Sequence, residues 1–329
     1  MKNKVELLAP AGDFDAFKAA VENGADAVYA GGKLFNARQF ASNFDEEQLE
    51  KAIDYAHVKG VKVFLTMNTL MSDRELDEAL ELAKEAYVAG IDGIIVQDLG
   101  FAGLLRSLYP DLKLHASTQM TIHNLDGVKM LENLGFKRVV LARELSVEEI
   151  KHICENTHLE VEVFVHGALC VCYSGQCLMS SIIGGRSGNR GKCAQPCRLP
   201  YEIMGDDQKL KQTDHKGYLL SPKDISGINL LPEIVKAGVS SLKIEGRMKS
   251  AEYVATVVRI YRKYLDQIEK SALYDTDRKY FVQSQDINDL TQIFNRGGFS
   301  EGYFKGKTGA DMMSYEKPKN WGVYIGRVK

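Results

Sequence analysis

The chain alternates short, nearly continuous apolar runs with longer stretches in which apolar positions recur every three or four residues. The short runs suit strands buried on both faces of a parallel sheet, and the periodic stretches suit amphipathic helices packed over it. VELLAP precedes the helical stretch DFDAFKAAVENG, DAVYAGG precedes EEQLEKAIDYAHVKG, and VKVFLTMN precedes SDRELDEALELAKEAYVAG. GIIVQD precedes LGFAGLLRSLYP, LKLHASTQ precedes NLDGVKMLENLG, and KRVVLARE precedes SVEEIKHICEN. EVEVFVHG is a seventh strand, and SLKIEGR, after the helix LPEIVKAGV, is an eighth, followed by the long helix SAEYVATVVRIYRKYLDQIEK. Gly24, Gly60, Gly90, Gly135 and Gly238 stand where helices should end, and Asp13, Ser72 and Ser146 stand where three should begin. Eight strand–helix units in this order predict an α/β fold, a (β/α)8 TIM-like barrel, with a doubly wound open sheet as the alternative.

The barrel is expected over residues 1–271, with a cysteine-rich insertion after strand seven spanning 167–225. Within it LPYEIMG and LKQTDHKGYLLSP read as a hairpin turning at Gly205, Asp206 and Asp207. From 272 to 329 the pattern is less periodic and more aromatic, ending in the strand-like run WGVYIGRVK. That run has no visible partner, so 272–329 reads as a truncated C-terminal extension, the start of a further domain. An edge strand on a small appended unit is the alternative.

Composition narrows the class. The 329 residues are 45% apolar and 26% charged, the profile of an ordinary folded chain. No apolar run is long enough to span a membrane, and the strand pattern begins at the N-terminus with no signal-like segment before it, so a cytoplasmic protein with no membrane partner is expected. The net charge of −2 gives no global field for nucleic acid, so an anionic partner needs a local patch.

In a barrel the chemistry sits where the strands end. Those ends carry Asn68, Gln119, Arg143, Glu144, His166, Glu245 and Arg247. Asn68, Gln119, Arg143 and Arg247 are the candidate substrate-binding residues, the two arginines being suited to clamp a carboxylate or phosphate. His166, Glu144 and Glu245 are the candidate acid–base groups. His115 alternates with apolar neighbours and is expected to be packed inside.

Five of the six cysteines fall between Cys170 and Cys197, with five glycines among them. In a reducing compartment clustered thiols are metal ligands or redox groups more often than disulfides. The spacing Cys170-x6-Cys177-x15-Cys193-x3-Cys197, with Cys172 extra, matches neither a CxxC redox pair nor the paired knuckles of a zinc ribbon. An iron–sulfur cluster tolerates wider spacings, and zinc stays open as the alternative. Cys154, in SVEEIKHICEN, reads as a buried structural thiol. Arg186, Arg190, Lys192 and Arg198 make the same insertion a candidate anion-binding patch, for which an RNA backbone is a natural large ligand.

EVFVHGALCVCYSGQCLMS, LAPAGDFDAFKAAVENGADAVYAGG, HASTQ, LARELS, SPKD and KIEGRMKSAEYVA together resemble the collagenase-like peptidase family U32, in order over about residues 5 to 265. The resemblance implies a protease of unassigned type by name, although several members resemble oxygen-independent hydroxylation factors. One branch is implicated in hydroxylating tRNA uridine with prephenate, another acts on a cytidine of ribosomal RNA, and a third on a ubiquinone precursor with a 4Fe–4S cluster. Cys170, Cys177 and Cys193 match positions that the family uses for the cluster. Some members supply the fourth ligand near the SPKD segment, but here that segment reads SPKDIS, so Cys197 is the expected fourth ligand and Cys172 the reserve. The chain holds no HExxH and no GxSxG, so it shows no complete hydrolytic machine. The expectation is an iron–sulfur RNA hydroxylase with tRNA and a small carboxylate as partners, the alternatives being a protease or a small-molecule hydroxylase.

Overall fold

In the computed structural model, residues 4–207, 210–211, 217–274, 280–306, 308–323 and 326 are described. Seven parallel strands run in sequence order: β1 (Glu6–Pro10), β2 (Ala27–Gly31), β3 (Lys62–Met67), β4 (Gly93–Val96), β5 (Leu114–Ala116), β6 (Arg138–Val140) and β7 (Glu160–Gly167). Three short strands follow, namely β8 (Ile203–Met204), β9 (Leu210–Lys211) and β10 (Asp224–Ser226). The next strand, β11 (Ser241–Ile244), pairs in parallel with both β7 and β1 and closes the barrel. This is the (β/α)8 architecture, and the open doubly wound sheet is excluded.

The helices form where the periodicity placed them: α1 (Phe14–Glu22), α2 (Glu46–Val58), α3 (Leu76–Val88), α4 (Leu99–Leu108), α5 (Leu125–Asn133) and α6 (Val147–Glu155). Asp13 accepts the Ala16 N–H at 2.8 Å, and Ser146 forms a capping box with Glu149. Ser72 opens a single 3₁₀ turn that leads into α3, rather than the helix itself. All five helix-terminal glycines adopt positive φ, as a left-handed cap demands. A short α7 (Met179–Gly184) lies in the insertion, α8 (Leu231–Lys236) precedes β11, and α9 (Ala251–Tyr274) runs back along α1.

Inside the barrel Leu8, Tyr29, Phe64 and Ile95 pack in one cluster, with the His115 ring 4.6 Å from that of Phe64. Burial holds His115 neutral, well below its ordinary value of 6.5. Below them Arg138 binds Glu6, Glu160 and Glu162, and Glu162 also accepts from Lys243 at 2.8 Å. These buried charges are thus paired.

In the insertion β8 and β9 pair antiparallel, while residues 208–209 and 212–216 of the expected hairpin lie outside the described residues. Beyond residue 280, α10 (Ser284–Ile293) packs on α9, and β12 (Phe299–Ser300) pairs with β10, which is itself antiparallel to β7. The terminal run 321–329 lies largely outside the described residues. Among the described residues no helix is long and apolar enough to cross a membrane.

Candidate active site

The insertion folds over the ends of the strands and encloses a cavity of 370 Å³. Its docking depends on close backbone approach. Gly175 has φ +75° and faces the Gln119 carbonyl, where a Cβ would come within 2.1 Å of the oxygen. Gly191 has φ +76° and abuts the Asn36 carbonyl, where a Cβ would lie 2.2 Å away. Side chains complete the seam. The Glu144 Oε1 accepts from the Ser174 N–H at 3.1 Å and from its hydroxyl at 3.2 Å. Arg190 reaches across to Glu75, whose carboxyl it holds down to about 2. Glu144 is therefore an anchor of the insertion and does not line the cavity.

All five clustered thiols, Cys170, Cys172, Cys177, Cys193 and Cys197, line this one cavity, and none is in a disulfide. Burial, and then a hydrogen bond with Cys177, raise the Cys172 thiol to about 11, while burial raises that of Cys197. Cys154 lies apart on α6, its thiol pushed up to about 12 by burial. Among the described residues no three His, Cys, Asp or Glu side chains converge tightly enough to hold a single metal ion. The donor set is still soft and clustered, and it faces cations that suit an anionic thiolate group. Glu245 first, and more weakly a Cys170 thiolate, raise Arg38, while burial and then Arg296 lower Arg198, against which a Cys197 thiolate would pull.

The remaining walls are strongly cationic. Among the described residues, seven Lys or Arg side chains line the cavity against one carboxylate, that of Glu245. Asn68, Gln119, Arg143 and Arg247, all read from the strand ends, are among the lining residues. Gln119 donates to the Asn68 carbonyl at 2.8 Å, and the Asn68 side chain accepts the Ala37 N–H at 3.0 Å. Arg143 stacks 4.4 Å over Phe164 and donates to the Ala168 carbonyl at 2.8 Å. Its buried Nε has no partner among the described residues.

Arg247 also has a buried Nε without a partner among the described residues, but the rest of its fork differs from that of Arg143. It is 3% exposed and donates to Thr66 at 2.9 Å, Asn36 at 2.8 Å and Asn43 at 2.6 Å. Burial brings it down to about 10. With most of its fork committed, it braces the loop after β2 more than it offers a clamp. Glu245 accepts from Arg38 at 3.1 Å. Burial pushes its carboxyl up, but Arg38, Arg143 and Arg247 outweigh that and hold it below the ordinary 4.5.

His166 is not brought to the cavity. Strict alternation from Glu162 and Phe164 would turn it inward. A bulge intervenes: Lys243 pairs with Phe164 and the next residue, Ile244, pairs with His166, which leaves Val165 as the extra residue. The imidazole consequently packs outside the barrel, 5.5 Å from the Tyr261 ring and 5.3 Å from Phe299. Burial, aided by the charge of Lys249, lowers it to about 3, so it is neutral near pH 7.

Several lining residues carried no strand-end signal. Arg38 comes from the loop after β2, Lys249 from the loop after β11, Arg198 from the insertion and Arg296 from the C-terminal segment. Arg296 is fixed by Asp224 at 2.5 Å.

The sequence profile of peptidase family U32 matches residues 12–314. The chain is 40% identical to the 23S rRNA 5-hydroxycytidine synthase of Escherichia coli over 99% of its own length and 49% of that protein's. It is 38% identical to a tRNA hydroxylation protein of Bacillus subtilis, over 95% of this chain and 74% of that one. A protein of Porphyromonas gingivalis named collagenase is 34% identical over 93% and 74% respectively. The chain thus spans about half the length of the first relative and about three quarters of the other two. With the profile covering nearly all of its residues, the chain belongs to peptidase family U32.

Proposed function

We propose that this chain is an iron–sulfur enzyme of oxygen-independent RNA hydroxylation, acting on a uridine of tRNA with a small carboxylate, prephenate, as co-reactant. The observation that carries the reading is the meeting of five thiols and seven cationic side chains in one cavity. Relatives named for hydroxylation of tRNA and for 5-hydroxycytidine synthesis in rRNA support the reaction class. Cys170, Cys177, Cys193 and Cys197 would hold a 4Fe–4S cluster, with Cys172 in reserve, and the cluster would supply electron transfer. In such a cube each thiolate binds its own iron. Five thiols on one cavity offer the soft donor set that such a cluster takes, with zinc as the alternative.

The residues of the chain divide the remaining work. Arg143, with its unpartnered Nε, is the carboxylate clamp. Gln119 and Asn68 orient the ligand by hydrogen bonding. Glu245, kept ionised by Arg38, is the one carboxylate among the described lining residues that could accept a proton inside the cavity.

A collagenase-like hydrolase is the second reading, favoured by the name of one relative. A thiol nucleophile needs a base beside it, and among the described residues no histidine lines the cavity. Nucleoside mass spectrometry of RNA from cells lacking the modification and expressing this chain tests the choice. The expected result is 5-hydroxyuridine in tRNA. 5-Hydroxycytidine in rRNA would move the substrate, and neither product alongside peptide cleavage would return the chain to the hydrolases.

A further inference from the structure

Lys249 stands in the loop after β11, two residues beyond Arg247, and lines the cavity. Its Nζ makes no ion pair or hydrogen bond with any described residue and lies instead against the rings of Phe294 and Tyr253. Arg296, stacked over the same Phe294 and bound to Asp224, sets a second cation beside it. A lysine in a water-poor pocket next to another cation is the standard way to make an amine nucleophile near neutral pH. The cavity around it is rich in guanidinium groups, which take carboxylates. An amine and carboxylate-binding groups in one enclosed space match one ligand class, a carbonyl carbon adjacent to a carboxylate.

We propose that Lys249 captures the carbonyl carbon of a 2-oxo acid in this cavity as an imine. The inference deepens the reading of the cavity as a small-carboxylate site and rests on it. The Nζ lone pair forms the new C–N bond, and the carbonyl oxygen gains a proton. That proton is the one the nitrogen sheds, and the resulting carbinolamine then takes one further proton from solvent and loses water to give the iminium. No electron is gained or lost overall, and the returning water reverses the step.

Burial first, then Arg296 and more weakly Arg198, bring the Lys249 ammonium down to about 7, against the opposing pull of Asp224 and Glu245. The faces of Phe294 and Tyr253 favour the charged form. Burial beside Arg296 must therefore outweigh four groups for the amine to be free.

The test uses the full chain with pyruvate as the probe and cyanoborohydride to reduce any imine, read by intact mass and peptide mapping. One adduct on Lys249 is expected. Its rate should fall about tenfold per pH unit below about 7 as the amine is protonated. Lys249→Arg, checked for folding by circular dichroism, should lose the adduct. No adduct, or adducts spread equally over surface lysines and retained in Lys249→Arg, would overturn the proposal. Calorimetry with pyruvate separates the two readings. Binding without an adduct sinks the imine but spares the carboxylate site, and no binding even in the unmodified chain sinks both.

Discussion

Arg38→Met removes the guanidinium that holds Glu245 ionised and keeps most of the apolar stem. The pair is 3.1 Å apart, with the Arg38 side chain 30% exposed and that of Glu245 12% exposed. At an effective dielectric constant near 20 the gross attraction is about 5 kcal/mol. The exposure of Arg38 screens part of it, and Arg143 and Arg247 remain to compensate Glu245. The net loss at pH 7 should be about 2 kcal/mol, below the 3–5 kcal/mol typical of breaking a fully buried pair. Glu245 titrates below its ordinary 4.5 in the folded chain, so the stability that it contributes is present above that value and lost as pH falls through the folded one. The cost of Arg38→Met should therefore be full at neutral pH and shrink below about pH 4.5. Urea denaturation at a series of pH values reads this directly. Arg38→Met combined with Glu245→Gln should recover much of the loss, because no charge is then left unpaired. A variant that costs the same at all pH values, or less than about 0.5 kcal/mol at pH 7, would show that Arg38 does not hold Glu245 ionised.

Three further outcomes follow from the geometry. Gly175→Ala meets both a positive φ and the Gln119 carbonyl, so it should cost at least about 2 kcal/mol and make the insertion readily cleaved in limited proteolysis that spares the barrel. His166 should show no imidazole titration by NMR between about pH 5 and 8, and His166→Gln should leave prephenate binding unchanged, because the ring sits outside the cavity. Arg143→Ala should weaken calorimetric binding of prephenate by about 2–5 kcal/mol, with Arg143→Lys only partly restoring it; unchanged affinity in both would remove Arg143 from the site.

The barrel was legible because its signals are local. Apolar runs, capping residues such as Asp13 and Ser146, and glycines at helix ends each act within a few residues, and together they define eight strand–helix units. The thiol cluster was legible because its members are close in sequence as well as in space. The orientation of His166 was not, because the bulge at Val165 depends on how β7 meets β11, a strand about eighty residues later. The commitment of Arg247 depends on Asn36, Asn43 and Thr66, and nothing beside it in the sequence announces them. Arg38, Lys249 and Arg296 sit on loops, where the rule of strand ends gives no guidance. The neighbourhood of seven lysine and arginine side chains becomes visible only when the insertion and the C-terminal segment are folded over the barrel mouth.

The proposed reading has the clustered thiols holding an iron–sulfur cluster in a cationic cavity. Iron and acid-labile sulfide analysis, with absorption spectra, of the anaerobically purified chain and its single Cys→Ala variants tests it most directly. The expected result is a brown protein with about four irons and four sulfides per chain. These should be lost in variants of Cys170, Cys177 and Cys193, and of Cys197 unless Cys172 takes its place, but retained in Cys154→Ala. A colourless protein without labile sulfide after anaerobic reconstitution, or iron that survives substitution of every clustered cysteine, would contradict it.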